Sequence, residues 1–359
     1  MAMQRILVTG GMGFIGSNFV RYMLSEHEDL EIVNLDKLTY AGNPANLEGV
    51  RERHTFVHGD VCDKEVVERA MHGCDAAVHF AAETHVDRSI ESAGDFVRTD
   101  VYGTFVMLEA ARKQKLGRFV HISTDEVYGE AVDRPCLESD NLMPKSPYAA
   151  SKAGADRLAW SYYATHGLPV TITRCSNNYG PYQYPEKLIP LFVTNALEGK
   201  PLPVYGTGRS TRDWIFVEDH CSAIDAILRG EGVEGEVFNV SSGRELSVLQ
   251  IADRILRALG KSGDLLEFVP DRLGGVRRHA VDSAKLRSSL GWRPSHPFEE
   301  AMARTIDWYV RNESWWKPIR SGQFREYYLR RYGDLDRRRA GAAGIEERSQ
   351  GIQAREKDL

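Results

Sequence analysis

The first half of the chain alternates two hydrophobic patterns. Short apolar runs end at Gly10 (RILVTG), Asp36 (LEIVNLD), Asp60 (TFVHGD), Ala82 (CDAAVHFAA), Thr124 (GRFVHIST) and Arg174 (PVTITR). Longer stretches with helical periodicity lie between them, opening near Phe14 and covering 92–114 and 147–166. The short runs are apolar on both faces, as a strand covered on both sides of its sheet requires. Strands alternating with helices predict an α/β fold built on a doubly wound parallel sheet.

The texture changes after Arg174. Pro and Gly become frequent in SNNYGPYQYPEKLIP and GKPLPVYGTGRSTRDW, before short strands and helices return in EVFNVSS and LQIADRILRAL. This predicts a first domain over 1–174 and a smaller C-terminal lobe over 175–335, interleaved with the first and laid over the carboxyl ends of its strands. Residues 336–359 carry Gly, Ala and charge with almost no apolar anchor, and read as a flexible tail. No internal repeat is visible.

Composition narrows the function classes. Of 359 residues, 42% are hydrophobic and 27% charged, which is ordinary for a soluble globular chain. The net charge of −5 gives no steering toward nucleic acid or an acidic membrane. No apolar run approaches the roughly 20 residues of a membrane span. The start, MAMQRILVTGG, runs into a strand without a signal-peptide layout. Cys62, Cys74, Cys136, Cys175 and Cys221 are scattered, with no C-x-x-C pair. A disulfide framework and a zinc site are both disfavoured, and a reducing, cytoplasmic setting is expected.

The first turn carries candidate chemistry. TGGMGFIGS places Gly10, Gly11, Gly13 and Gly16 between a predicted strand and a predicted helix, the context that a Rossmann dinucleotide fingerprint needs. Such glycines let the backbone approach a pyrophosphate, which then meets the free N–H groups of the helix start. Asp36 follows twenty residues after Gly16. A carboxylate there accepts ribose hydroxyls and repels a 2′-phosphate, which favours NAD over NADP. Lys37, beside it, is a cation that would tolerate a phosphate. Asp60 fits either an adenine amino group or a turn cap.

A second constellation lies further on. Tyr148 and Lys152 in SPYAASKAGAD share a helix face at i and i+4. An ammonium beside a phenol favours the phenolate, lowering its pKa toward the working range and making a base for an alcohol proton. Alone, Y-x-x-x-K is common by chance. Between it and the glycines, STDEVYG sets two adjacent carboxylates, Asp125 and Glu126, at the mouth of a buried strand. Left dry and unpaired, they would be costly.

Taken together, GGMGFIGS, NLDKLTYAGN, FAAETHVDRSI, HISTDEVYG, SPYAASKAGAD, RCSNNYGPYQYPEKLIP and STRDWIFVEDH resemble the extended short-chain dehydrogenase/reductases that act on nucleotide sugars. Within them the chain is most similar to the dTDP-glucose 4,6-dehydratase family. The resemblance is dense from Gly10 to His220 and continues weakly to about residue 330. It implies a Rossmann domain, a tightly held NAD regenerated in each turnover, a nucleotide-sugar substrate, and a hydro-lyase of deoxysugar biosynthesis. It also implies a homodimer, paired through the helix over 92–114.

Roles follow from the same resemblance. Tyr148, aided by Lys152 and Thr124, would take the carbon-4 hydroxyl proton. Glu126 would remove the carbon-5 proton and Asp125 would protonate the leaving hydroxide at carbon 6. Asp125 is the residue that sets this pattern apart from decarboxylase relatives, which tend to show TSEVYG. A nucleotide-sugar epimerase or decarboxylase, and a non-catalytic NAD-binding protein, are the alternatives. Contacts to NAD are implied for Gly10, Gly13, Phe14, Ile15 and Gly16, then for Asp36, Lys37, Leu38 and Thr39. Asp60, Val61, Phe80, Ala81, Ala82 and Thr99 follow, with Tyr148, Lys152 and Asn178.

Substrate contacts are implied for Thr84, Thr124 and Asn177, and along the nucleotide diphosphate for Lys187, Leu188, Pro203, Val204, Tyr205, Arg212 and Asn239. Arg212 and Lys187 suit a pyrophosphate. One segment departs from the family pattern: DRPGHD is here DRLGGV, which keeps Asp271 and Arg272, and NIGG near Asn239 becomes NVSS. These changes bear on the nucleotide base more than on the chemistry. His79, His85 and His121 lack metal-ligand spacing and read as packed or hydrogen-bonded histidines. The aromatics of WYVRNESWWKP read as packing for the C-terminal lobe.

Overall fold

In the computed structural model, which describes residues 3–271, 274–322, 326 and 328, each of the six apolar runs forms a strand. They are β1 (Arg5–Thr9), β2 (Glu31–Asp36), β3 (His54–His58), β4 (Ala76–His79), β5 (Arg118–Thr124) and β6 (Val170–Cys175). They pair in parallel in the order β6-β5-β4-β1-β2-β3, and a further strand, Val237–Val240, adds to β6 at the edge. The strand order reverses between β1 and β4. In a doubly wound sheet the carboxyl ends at such a point open into the ligand crevice.

Side chains alternate strictly across the sheet. Ile6, Val8, Ile32, Ala76, Val78, Val120 and Ile122 enter one core. Leu7, Val33, Leu35, Ala77 and Phe119 enter the other. Helices Phe14–Glu26 and Val217–Arg229 close the first core through Phe19, Met23, Ile224 and Ile227. Helices Lys64–Met71, Thr104–Gln114 and Pro147–His166 close the second through Val67, Met107, Leu108 and Ala159. Two dry faces are the reason that the inner strands read as apolar throughout, while β3, at the sheet edge, is largely exposed.

The stretch over 92–114 is not one helix. A short helix Ala93–Phe96 passes into a π turn, Val97–Gly103, before the helix Thr104–Gln114. The Thr104 hydroxyl donates to the Asp100 carbonyl at 2.5 Å. It thereby competes for the acceptor that a regular helix gives to the Thr104 N–H.

The chain divides into two compact units. Met1–Tyr184, Arg209–Ser247 and Arg272–Thr305 form the first, which holds the large sheet and both cores. Pro185–Gly208, Val248–Asp271 and Ile306–Leu359 form the second. Within the second unit, strands Leu202–Tyr205 and Leu266–Val269 pair in parallel, and helix Val248–Ala258 covers LQIADRILRA. The expected aromatic packing is present there: Trp308 and Trp315 meet edge to face at 5.0 Å, and buried Trp316 donates to the Tyr309 carbonyl at 2.8 Å. The tail read over 336–359 lies outside the described residues. No helix among the described residues is long and apolar enough to cross a membrane.

Candidate active site

β1 delivers the chain to Gly10, whose φ of +72° lies in the left-handed region. A Cβ there would sit 2.8 Å from the Ala81 nitrogen at the end of β4. Glycine is therefore required both by conformation and by contact. Gly16 is pressed onto the Gly10 carbonyl, which sets the helix Phe14–Glu26 close against the turn. Gly13 is the N-cap of that helix and provides no side-chain cap, so first-turn N–H groups stay open to an anion.

The carboxylate of Asp36 closes the other side. Its Oδ2 accepts from the Met12 N–H at 2.9 Å and its Oδ1 from the Leu38 N–H at 2.8 Å. Burial pushes its pKa up, and those two bonds pull against the shift. Lys37 pairs with Asp60 at 2.7 Å, and Asp60 also accepts from the Cys62 N–H at 2.9 Å. Burial opposes the Asp60 charge, but Lys37 and the Cys62 N–H outweigh it and hold the carboxyl below its ordinary range. The cation beside Asp36 is thus already committed, and Asp60 does cap its turn.

The two carboxylates of STDEVYG stand on a short 3-10 turn, Asp125–Tyr128, at the end of β5. Thr124 caps it: its hydroxyl accepts from the Glu126 N–H at 3.2 Å and donates to Asp125 Oδ1 at 3.3 Å. Asp125 is 4% exposed, and its Oδ2 has no hydrogen-bond partner among the described residues. Burial first, then the neighbouring Glu126 charge, pushes the Asp125 carboxyl up to about 8; Asp213 adds to this, while Arg212 and the Thr124 bond oppose it. Glu126, its neighbour, is half-buried. One buried acid and one more accessible carboxylate stand side by side, and burial together with the neighbouring charge raises the Asp125 carboxyl.

Tyr148 and Lys152 approach from helix Pro147–His166, whose start is set by Pro147 and by Ser146 accepting from the Ala149 N–H at 3.1 Å. Lys152 is buried and donates to the Ile122 carbonyl on β5 at 2.7 Å. Burial lowers its pKa, against Asp100 and Asp156. The expectation for Tyr148 needs correcting. Burial, then Glu126 and Asp100, drive the phenol well above its ordinary value; the Thr124 bond opposes them and Asp125 adds to them. Burial, with the carboxylates behind it, raises the phenol, so the protein alone does not bring it to neutral pH.

A buried network holds the turn from behind. Arg174 pairs with Asp156 through Nε at 2.8 Å and Nη2 at 2.9 Å, and donates from Nη1 to the Tyr128 hydroxyl at 2.7 Å. Tyr128 donates to Asn239 Oδ1 at 2.8 Å, and Asn239 Nδ2 donates to the Cys136 carbonyl at 3.0 Å. Asn239, expected at the substrate, is fully buried with its amide spent on this network. It positions the carboxylate turn. The histidines expected to pack are also buried. The Thr104 hydroxyl proton goes to Asp100, so His79 donates from Nε2 to Thr104 at 3.1 Å and accepts on Nδ1 from Thr9 at 2.7 Å.

Residues 7–305 match the family model described as GDP-mannose 4,6 dehydratase. A dTDP-glucose 4,6-dehydratase of Streptomyces niveus is 50% identical over 324 residues, covering 89% of this chain and 96% of that protein. The chain belongs to the dTDP-glucose 4,6-dehydratase family. Among solved structures, DesIV of that family from Streptomyces venezuelae, determined with NAD bound, matches with a TM-score of 0.86 and 49% identity over 88% of this chain and 99% of its own. The UDP-glucose 4-epimerase of Thermotoga maritima matches with a TM-score of 0.81 and 28% identity over 86% of this chain and 99% of its own.

The remaining residues that the dTDP-glucose 4,6-dehydratase pattern implies fall as follows. Val61 is buried, while Phe14, Ile15, Leu38, Phe80, Ala81, Ala82 and Thr99 are half-buried and Thr39 is exposed. The Asn178 amide is held by the Cys175 sulfur, the Ser176 carbonyl and His220. Asn177 keeps its buried Oδ1 without a hydrogen-bond partner among the described residues, and Thr84 is exposed. Arg212, on strand Thr211–Phe216, donates to the Thr211 and Val276 carbonyls at 2.8 and 3.0 Å, and its charge acts on Asp125.

The second unit carries the others. Lys187 precedes helix Leu188–Leu197, and Pro203, Val204 and Tyr205 lie in strand Leu202–Tyr205. Asp271 packs its carboxylate against Gly206. Arg272 lies outside the described residues. Sequence reading missed the buried carboxylates Asp100 and Asp213, because a single Asp within a helical or strand run carries no pattern of its own. The residues present fit NAD: a glycine cradle with no room for a Cβ, open helix N–H groups, and a carboxylate at the end of β2.

Proposed function

We propose that this chain is an NAD-dependent lyase that converts dTDP-glucose to its 4-keto-6-deoxy derivative with loss of water. The observation that carries this reading is Asp125, a buried carboxyl with a proton to give and an unpartnered oxygen, next to Glu126 and near the Tyr148 phenol. Gly10, Gly13, Gly16 and Asp36 would hold the cofactor. Bound NAD supplies the hydride acceptor, the later hydride donor and, when oxidised, a positive charge.

Tyr148, hydrogen-bonded to Thr124, would take the carbon-4 hydroxyl proton as its phenolate as that carbon is oxidised, a form that the positive charge of bound NAD would favour against the shift imposed by burial. The resulting ketone acidifies the proton on carbon 5. Glu126 removes it while Asp125 protonates the hydroxide leaving carbon 6. One proton is lost from the pair and one gained, so the two carboxyl groups share a single negative charge before and after elimination. No second charge is created in the dry site. Hydride return to carbon 6 and reprotonation of carbon 5 from Glu126 complete the 4-keto-6-deoxy sugar, and release of the proton held by Tyr148 with uptake of one by Asp125, by exchange with solvent, would restore both side chains for the next turnover. The cofactor ends as it began, and is held from one turnover to the next.

Incubation with dTDP-glucose tests the reading. The 4-keto-6-deoxy product should form without consumption of added NAD. Release of a 4-epimer, or carbon dioxide from UDP-glucuronate, would replace the reading with an epimerase or decarboxylase.

The same reading includes a homodimer. Val97 and Tyr102 on the π turn are 55% and 49% exposed, Phe105 follows on the next helix, and Trp160 and Tyr163 stand exposed on helix Pro147–His166. A second copy burying its own such face would remove this apolar surface from water. Tyr102→Glu with Phe105→Glu should halve the mass measured by sedimentation equilibrium. An unchanged mass would place any dimer contact elsewhere.

A further inference from the structure

Asp100 takes no part in the chemistry above, yet it is only 1% exposed. It stands on the π turn Val97–Gly103 and faces the helix that bears Tyr148 and Lys152. Its Oδ2 accepts from the Ser151 hydroxyl at 2.5 Å and its Oδ1 from the Glu83 N–H at 2.8 Å. Ser151 immediately precedes Lys152. The Lys152 ammonium is itself buried and donates to the Ile122 carbonyl at 2.7 Å.

A dry ammonium needs a counter-charge. Two carboxylates act on Lys152, Asp100 and Asp156. Asp156 is already taken up by Arg174 at 2.8 Å and by Arg157 at 2.5 Å. The ring bases facing Lys152 from β4 and β5 do not compete: burial, then Lys152 itself, pushes His79 down to about 3 and His121 well below its ordinary value. Charge balance leaves Asp100 for Lys152.

We propose that Asp100 is a positioning residue, the buried counter-charge that keeps Lys152 an ammonium beside Tyr148. The role in turnover rests on the dehydratase reading of that pair; the charge balance does not. Burial raises Asp100 to about 6, against Lys152 and the bonds from Ser151 and Glu83, so it is ionised at neutral pH. The other groups facing this corner are Glu83, on which Asp95, Arg88 and Lys37 also act, and, through the Tyr148 phenol, Glu126 and Asp125.

The test is a titration of the Lys152 side-chain NMR signal in the full-length holoenzyme with isotope-labelled lysine, assigned by its loss in Lys152→Arg. Asp100→Asn keeps the shape and removes the charge. It should lower the Lys152 midpoint by about one pH unit, a tenfold loss of proton affinity. Ser151→Ala removes one bond and keeps the charge, and should move the midpoint by less than half as much. An unmoved midpoint in Asp100→Asn, or equal shifts in both variants, would overturn the proposal. Should Asp100→Asn fail to fold, the native protein decides: its Lys152 signal should show an inflection near pH 6 as Asp100 takes up a proton, and a flat response there would overturn the proposal. The titration needs no substrate. Inactivity toward every nucleotide sugar would count against the dehydratase reading and leave this one standing.

Discussion

Glu126→Gln should cut product formation by about 10² to 10⁴, the usual worth of one positioned acid or base, while cofactor reduction by dTDP-glucose continues. The split follows from the placement of the groups. In the proposed reaction, oxidation at carbon 4 uses Tyr148 and Thr124, on the helix Pro147–His166 and at the end of β5. Elimination uses the 3-10 turn that follows β5. Removing the Glu126 charge also removes one of the influences that push the Tyr148 phenol and the Asp125 carboxyl up. The oxidation step should therefore be unimpaired or faster. Stopped-flow absorbance of the reduced nicotinamide, followed beside product formation, separates the two. Full turnover in the variant would remove Glu126 from its role, and absence of any cofactor reduction would mean that the two halves of the site are not separable.

Asp125→Asn should lower turnover by a similar factor of about 10² to 10⁴, and it should change the pH response. In the proposed reaction Asp125 is the proton donor, and burial pushes its carboxyl up to about 8. Elimination should fall as pH rises through that value, and the variant should lack this limb. Stability moves the other way. The folded carboxyl binds its proton up to about 8, whereas the ordinary value is 3.8. Between those values folding takes up a proton, so native stability declines as pH rises across the window. The amide does not ionise, and the variant should be the more stable protein at neutral pH, by on the order of 4 kcal/mol. Denaturant unfolding of both proteins at several pH values checks the sign. A variant that is less stable at neutral pH would show that Asp125 is not held protonated by burial.

The large sheet was legible because its inner strands are dry on both faces, which leaves uninterrupted apolar runs such as RILVT and RFVHIST. The edge strand Val237–Val240 was not placed, since its pairing with β6 is a contact between distant parts of the chain. The stretch over 92–114 kept helical periodicity through a π turn, because hydrophobic spacing does not register one displaced carbonyl. Asp125 and Glu126 stood out as adjacent acids at a strand mouth, and the structure gives them unlike surroundings. Asn239 was misplaced: an Asn in NVSS has the same letter whether it faces a ligand or a buried tyrosine. The Tyr148–Lys152 pair was recognised by spacing, but its electrostatics were not. The carboxylates that govern them, Asp100 among them, come from other elements.

In the proposed reaction one site oxidises carbon 4, eliminates water and returns the same hydride to carbon 6. dTDP-glucose carrying deuterium at carbon 4 tests it most directly, with the product read by NMR and mass spectrometry. The label should appear at carbon 6 of the 4-keto-6-deoxy product, with no added NAD consumed. Label lost to water or passed to added cofactor, or product that keeps its carbon-6 hydroxyl, would contradict the account.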